Sequence, residues 1–210
     1  MGQLQQVPLQ TGKGSLNIEG PVSDHYLESL SMDEGLHNFR PPGRQKVALM
    51  EITNLPDGMI YLVRAINTII GYVTFHHPDG YSRWSKHPRV LEMGGIEVSP
   101  AWRGCRVAEN LLRVAFADPK VEDFIVITTE YCWHWDMKDT GLDVWDYQRM
   151  LTRLFGKVGL QKVTTDDPDI LEHPANVLMA RYGRNVTKED KMLFEAMRFA
   201  GRAGNMVNII

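Results

Sequence analysis

The alternation of apolar and polar positions along the chain predicts strands interleaved with helices. Runs with period two, or rich in β-branched residues, predict strands at 15–19, 59–65, 68–76, 90–98, 124–129, 160–164 and 176–182. Apolar residues that recur every three or four positions predict helices at 24–30, 45–53, 107–117, 144–155 and from 187 onward. A strand also fits 45–53. This order of elements predicts a mixed α/β sheet.

The chain divides into a short tail, one main domain and a C-terminal helix. Residues 1–14 are rich in Gln and Gly, and we predict that they form a flexible N-terminus. Residues 15–186 carry the mixed strands and helices, and 210 residues in total are enough for one domain with a sizeable core. Residues 187–210 are predicted to form a final helix and tail packed on that domain.

Composition and charge exclude several classes of function. A net charge of −3 and a pI of about 6.2 create no global positive field that would attract nucleic acid or an anionic membrane. No apolar run approaches the length of a membrane span, and the first residues lack the regions of a signal peptide. Two cysteines, Cys105 and Cys132, are too few for a disulfide framework. We therefore expect a cytoplasmic protein with no nucleic-acid or membrane partner.

The strongest chemical signal lies where the predicted strand at 90–98 leads into the helix that begins near Val107. The strand stops at Pro100, and a tight turn that carries Arg103 and Gly104 follows. A strand, a turn and a helix N-terminus in series direct backbone N–H groups and the positive end of the helix dipole to one point, which favours anion binding. An ordinary turn with a surface arginine fits the same spacing.

This turn resembles the acyl-CoA pyrophosphate loop of the GNAT (Gcn5-related N-acetyltransferase) family, whose pattern is Arg/Gln-x-x-Gly-x-Gly/Ala. The resemblance implies the GNAT acyl-CoA N-acyltransferase fold, in which the fourth and fifth strands splay apart and hold acetyl-CoA between them. The order of elements predicted above is also the order of that fold. The cosubstrate-binding residues that the resemblance implies are Ile96, Val98, Arg103, Gly104, Cys105, Arg106, Val107 and Ala108.

Arg106 departs from the family pattern, because it occupies the central glycine position of that loop. A side chain at this position would clash with a ligand that approaches the backbone closely. We predict that the Arg106 side chain turns away from the pyrophosphate while its backbone N–H still serves the loop. Arg103 would add a charge-assisted contact to phosphate.

Three glutamates are candidates for the general base that N-acetyl transfer requires. The substrate amine must lose a proton, and a carboxylate accepts it directly or through water. The resemblance implies a base on the fourth strand, where Glu92 lies, or at the end of the fifth strand, where Glu130 lies. Glu97 either flanks the cleft or faces solvent, and each of the three also fits an ordinary surface residue. Glu92 is the first choice.

The general acid is left unassigned by the sequence. Many members of the family protonate the leaving thiolate with a tyrosine on the helix after the fifth strand, and Phe155 stands at that position here. Phenylalanine cannot donate a proton, so Tyr131 or Tyr147 remains as a donor, or water serves instead.

An unusually aromatic run, Tyr-Cys-Trp-His-Trp-Asp, directly follows the predicted fifth strand. Tyr131, Trp133 and His134 are candidates for contacting the substrate, although simple packing also explains aromatic residues. Cys132, His134 and Asp136 would share one face if the strand continued through them, which would suit zinc. The paired-ligand motifs typical of zinc sites are missing, and we predict no metal.

Motifs throughout the chain resemble the acetoin-utilization group of GNAT acetyltransferases. They are FRPP (39–42), IGYVT (70–74), RWS (83–85), IEV (96–98) with RGC (103–105), TTEY (128–131) with WHWD (133–136), and HPAN (173–176) with LMAR (178–181). The resemblance covers most of residues 14–200. It implies a protein lysine N-acetyltransferase that uses acetyl-CoA to acetylate and inactivate AMP-forming acetyl-CoA synthetase. We also consider a homodimer.

Two other functional classes remain open at this point. A GNAT enzyme that acetylates a small-molecule amine predicts a deep acidic pocket rather than an open groove. A non-catalytic protein that binds acyl-CoA or docks a partner fits the arginine at the central glycine position and the missing tyrosine.

Overall fold

Strands and helices are interleaved along residues 5–200, the part of the chain that the computed structural model describes. Strands β1 to β9 are Gln5–Thr11, Gly14–Gly20, Ser31–Met32, Met59–Ala65, Thr68–His76, Val90–Val98, Ile125–Glu130, Gln161–Val163 and Val177–Tyr182. Helices α1 to α7 are Asp24–Glu28, Pro42–Thr53, Val107–Phe116, Met137–Thr140, Val144–Gly156, Pro168–Leu171 and Lys188–Met197. Within residues 5–200, no helix combines the length and the apolar character needed to cross a membrane.

The chain forms two compact units. The first comprises the chain up to His76 together with Met93–Asp118, and the second comprises His77–Glu92 together with the chain from Pro119 onward. Strand β6 is therefore shared, because its first three residues belong to the second unit and the remainder belong to the first.

In the first unit, β1, β2, β4 and β5 form an antiparallel series, and β3 joins β5 in parallel. The chain turns between β4 and β5 at Ile66, whose φ of 54° is left-handed, so the predicted strands at 59–65 and 68–76 form a hairpin. Burial of apolar side chains from α1, α2 and this sheet forms a core. Its members include Leu27, Leu36, Leu49, Ile60, Leu62, Ile69 and Tyr72.

In the second unit, residues 90–92 of β6 pair in parallel with residues 125–127 of β7. Strand β9 lies between β7 and β8 and is antiparallel to both. A separate core fills this unit, and its members include Trp84, Val90, Ile125, Ile127, Ile170, Leu178 and Phe194. Phe194 belongs to α7, so the predicted C-terminal helix packs on this core.

The mixed α/β arrangement confirms the predicted fold class. Helix α2 covers the segment at 45–53, so the strand alternative there is wrong. This helix begins at Pro42, three residues before the predicted start, because proline is tolerated in the first helical turn. Helix α7 begins after Thr187, whose side chain forms a capping box with Asp190.

The predicted flexible N-terminus is wrong for residues 5–11, which form strand β1. Every residue of β1 is in register with β2, from Gln5 opposite Gly20 to Thr11 opposite Gly14. The strand lies at the edge of the sheet order and its side chains are mostly exposed, and Val7 and Leu9 are its only aliphatic residues besides Pro8, so its apolar signal is weak. An edge strand also tolerates Pro8, which cannot donate to a ladder. Residues 1–4 and 201–210 lie outside the described part.

Candidate functional site

The loop between β6 and α3, residues 99–106, contains two left-handed residues and leads directly into a helix N-terminus. A short 3-10 turn at Pro100–Trp102 follows the strand, and helix α3 begins at Val107 as predicted. Gly104 and Arg106 both have left-handed backbones, with φ of 81° and 56°. The first N–H groups of a helix lack partners within the helix, and Arg106 provides no side-chain cap for them. The start of α3 can therefore donate to an anion.

Arg106 has a backbone conformation that glycine adopts with less strain. Its φ of 56° and ψ of 25° are left-handed, and a side chain with a Cβ disfavours that region by about 1–2 kcal/mol. The Arg106 side chain is exposed, and its carbonyl accepts hydrogen bonds from the backbone and side chain of Asn110 at 3.1 and 2.9 Å. The direction of the side chain relative to a pyrophosphate stays a prediction.

The other predicted cosubstrate-binding residues differ in their solvent exposure. Ile96, Val98, Arg103, Cys105 and Ala108 are half-buried, and Gly104 is exposed. Val107 is buried, with 2% of its surface exposed, so its side chain anchors α3 in the core. Only the backbone N–H of Val107 is therefore suited to meeting a ligand.

Glu97 is held by hydrogen bonds at both carboxylate oxygens. The backbone N–H of Asn38 donates to Oε1 at 2.8 Å, and the Tyr72 hydroxyl donates to Oε2 at 2.7 Å. Glu97 is only 7% exposed, so the alternative that it faces solvent is wrong. With both oxygens engaged, the geometry favours an anchoring role for Glu97 between β6, β5 and the segment before α2.

Glu92 lies on β6 in the second unit and is held at one oxygen. The Thr129 hydroxyl donates to Glu92 Oε1 at 2.7 Å, and Oε2 accepts no hydrogen bond from any residue between 5 and 200. The side chain is half-buried. One oxygen is thus fixed in place while the other is suited to accepting a proton, which are the properties of a positioned general base.

Glu130 lies at the end of β7 and is held at both oxygens. The Thr128 hydroxyl donates to Oε1 at 2.7 Å, and the Trp135 indole N–H donates to Oε2 at 3.3 Å. Burial raises the pKa of Glu130, and the neighbouring charge of Glu92 raises it further, against the effect of the two donors. Two carboxylates that repel one another are often found at sites of proton transfer.

The rings of Tyr131, Trp133 and His134, the three candidates for contacting the substrate, form one aromatic cluster. The Tyr131 and Trp133 rings are stacked at 5.0 Å between centroids, and His134 meets both rings edge-on at 5.9 and 6.0 Å. Trp133 is 50% exposed, so the cluster presents a surface to solvent. Burial raises the pKa of Tyr131 to about 12, and its hydroxyl also interacts with Thr129. Thr129 therefore lies near Tyr131 while its hydroxyl donates to Glu92.

The β7 strand ends before the positions considered for zinc. Residues 132–134 form a 3-10 turn, so Cys132, His134 and Asp136 do not share a strand face. Cys132 is buried, and its backbone N–H donates to the side chain of Asn176 at 2.9 Å. Across residues 5–200, no group of three or more His, Cys, Asp or Glu side chains could hold a metal ion.

The alternative proton donors are placed differently. Tyr147 stacks on Trp135 at 5.2 Å, and its hydroxyl accepts a hydrogen bond from the backbone N–H of Asp136 at 3.4 Å. Phe155, at the position of the family tyrosine, is fully buried. Tyr131 differs from both in that Thr129 and Glu92 lie close enough to its hydroxyl to affect its pKa.

Sequence reasoning missed the residues that hold two of the candidate glutamates in place. Thr129 positions Glu92, and strand alternation would have placed Thr129 on the same side as Tyr131, so a local signal existed. Asn38 and Tyr72 anchor Glu97 from positions 59 and 25 residues away, and no local pattern indicates these pairings.

Comparisons with known proteins agree on one family. The model of the acetyltransferase (GNAT) family matches residues 25–130. The chain is 47% identical over 196 residues to the acetoin utilization protein AcuA of Bacillus licheniformis, covering 92% of this chain and 93% of that protein. It is 45% identical to AcuA of Bacillus subtilis, with the same shares covered. The crystal structure of an acetoin utilization protein from Exiguobacterium sibiricum 255-15 has a TM-score of 0.93, 44% identity and 97% coverage of both chains.

Proposed function

Because the chain belongs to the GNAT acetyltransferase family, together with the acetoin utilization proteins AcuA, we propose that it acetylates a lysine side chain of another protein with acetyl-CoA. The protein substrate that we propose is AMP-forming acetyl-CoA synthetase. Acetylation of a lysine needed for adenylation would inactivate that enzyme. Cys105 and Cys132 are free thiols, which suits the cytoplasm as the proposed location.

The main support for binding of acetyl-CoA is the backbone conformation of the β6–α3 loop. Two left-handed residues, Gly104 and Arg106, precede a helix whose first N–H groups have no side-chain cap. This arrangement suits the diphosphate of a coenzyme A nucleotide. Arg103, directly before Gly104, would add positive charge beside the phosphates.

Glu92 is the proposed general base. The lysine nitrogen forms a bond to the thioester carbonyl carbon and becomes positively charged. It must then lose a proton, and the bond from carbon to sulfur must break so that coenzyme A leaves as a thiolate. Glu92 Oε2 would accept that proton while Thr129 holds Oε1. The hydroxyl of Tyr131, whose pKa is raised to about 12, would remain protonated and able to return a proton to the thiolate.

The aromatic cluster of Tyr131, Trp133 and His134 is the proposed contact surface for the substrate lysine. Its exposed, electron-rich rings suit the long aliphatic chain and the ammonium group of lysine. A surface of this kind also suits a protein substrate, because a folded protein cannot enter a narrow pocket.

An acetylation assay tests the proposal. The purified protein is incubated with acetyl-CoA and with acetyl-CoA synthetase, and mass spectrometry locates the acetyl group. We expect acetylation of one synthetase lysine and loss of synthetase activity. Acetylation confined to small amines would contradict the protein substrate, and binding of acetyl-CoA without transfer would contradict catalysis.

Isosteric variants test the base. Glu92→Gln should lower kcat by about 100-fold or more, whereas the exposed control Glu172→Gln should not change it. Thr129→Val should lower kcat less than Glu92→Gln, because the Glu92 carboxylate keeps its place on β6 but loses the hydrogen bond that orients it. If Glu130→Gln or Glu97→Gln abolishes transfer while Glu92→Gln retains it, the assignment of the base is wrong.

A further inference from the structure

The tip of the β1–β2 hairpin, residues 11–14, is an ordered turn beside the β6–α3 loop. The Lys13 backbone N–H donates to the Thr11 hydroxyl oxygen at 3.1 Å, and that hydroxyl donates to the Gly14 carbonyl at 2.8 Å. Gly14 has a φ of 134°, which glycine adopts without strain. The tip therefore has a defined shape even though its side chains are exposed.

Two separate contacts connect this tip to the β6–α3 loop. The Lys13 ammonium donates to the Ala101 carbonyl at 2.5 Å and to the Arg103 carbonyl at 3.4 Å. A Cβ at Gly14 would lie 3.9 Å from the Trp102 ring, so the backbone of the tip packs beside that ring. Both contacts join the tip to the residues immediately before Gly104.

The backbone at Arg103 and Gly104 explains why a donor at Lys13 matters. Arg103 has φ of −62° and ψ of 151°, and Gly104 has φ of 81°, values that match the two central residues of a type II turn. A type I turn differs mainly by a rotation of the central peptide, which reverses its carbonyl and its N–H. In a trans peptide the two groups point in opposite directions. A bond to the Arg103 carbonyl therefore holds the Gly104 N–H on the side away from Lys13.

We propose that Lys13 is a positioning residue for acetyl-CoA, which holds the β6–α3 loop in the turn that presents the Gly104 N–H to the diphosphate. The inference rests on the proposed binding of acetyl-CoA by this loop. Lys13 orders the loop before the ligand arrives, so it lowers the entropic cost of binding. Its effect should be confined to ligands that carry the nucleotide diphosphate.

Lys46 provides a matched control in the same unit. Its ammonium also donates to two backbone carbonyls, those of Glu28 and Leu30, at 2.8 and 2.5 Å. Lys46→Met removes the same kind of contact as Lys13→Met, but at a place remote from the loop in sequence. A general loss of stability would affect both variants, whereas a loss of loop positioning would affect only the variant at Lys13.

Binding of coenzyme A by titration calorimetry gives the decisive measurement. We expect Lys13→Met to raise Kd about five- to tenfold, Lys46→Met to change it less than twofold, and Lys13→Arg to restore most of the affinity. In turnover, Lys13→Met should raise KM for acetyl-CoA with little change in kcat. With acetyl-pantetheine, which has no nucleotide, the variant and the wild type should have equal kcat/KM.

Hydrogen exchange of the unliganded protein gives a second readout. Amides of residues 101–108 should exchange faster in Lys13→Met than in the wild type, and Lys46→Met should leave them unchanged. Equal Kd for coenzyme A in Lys13→Met and the wild type would overturn the inference, as would an equal loss with acetyl-pantetheine. A wild type that binds coenzyme A but acetylates no protein would overturn the proposed function, while a raised Kd in Lys13→Met would still support Lys13 as the positioning residue.

Discussion

Removal of the Tyr72 hydroxyl tests whether Glu97 is a structural anchor. In the first unit, Tyr72 on β5 donates to Glu97 Oε2 at 2.7 Å, and neither residue is more than 7% exposed. Burial and the charge of Glu97 raise the pKa of Tyr72 far above its usual value, so the hydroxyl remains a donor throughout the range of any assay. Tyr72→Phe keeps the ring and removes only this donor.

The expected cost follows from the burial of the pair. A hydrogen bond to a charged group contributes about 1.5–3 kcal/mol, and a carboxylate that loses one of two partners in a buried site has no water to replace it. The cavity left by one oxygen atom is small, so the loss of the hydrogen bond dominates. For a chain of this size, about 2 kcal/mol corresponds to a decrease in Tm of about 4–8 °C.

Chemical denaturation of Tyr72→Phe measures this cost directly. Tyr81→Phe serves as the control, because Tyr81 is fully exposed and its loss should change the free energy of unfolding by less than about 0.5 kcal/mol. The double variant with Glu97→Gln should be less destabilised than the sum of the two single variants, because both changes disrupt the same bond. A Tyr72→Phe variant as stable as the control would refute the anchoring role of Glu97.

Two further predictions concern pH dependence and backbone strain. Burial and the charge of Glu92 raise the pKa of Glu130 in the folded protein. Between about pH 4.3, the usual pKa of a glutamate, and this raised pKa, the folded protein binds more protons than the unfolded chain. The free energy of unfolding therefore falls as pH rises through that window. Glu130→Gln should therefore raise Tm more at pH 8 than at pH 4, measured by calorimetry, and an equal change at both pH values would contradict this reasoning. Arg106→Gly should stabilise the protein by about 0.5–1 kcal/mol, because relief of the left-handed strain exceeds the added chain entropy of glycine. Arg103→Gly, at a φ of −62°, is its control and should destabilise, and similar losses in both variants would refute the strain argument.

The sequence by itself determined most of the strands and helices and the position of the turn between β6 and α3. Strand β6 and the start of α3 occur where the apolar pattern and Pro100 indicate. These features are local, because helical and strand periodicity depend on neighbouring residues and a turn depends on its own backbone preferences. The strain at Arg106 belongs to the same class, since the family pattern already marked that position as one for glycine.

The tertiary structure decided which residues donate hydrogen bonds to the candidate glutamates. Tyr72 donates a hydrogen bond to Glu97, and Thr129 donates one to Glu92. The sequence around these glutamates does not indicate either donor. Strand β1, whose apolar signal is weak, forms because its backbone pairs with β2. Lys13 reaches a carbonyl 88 residues away along the chain. Hydrogen-bond partners of this kind are brought together only by the fold, so no local pattern of residue types can specify them.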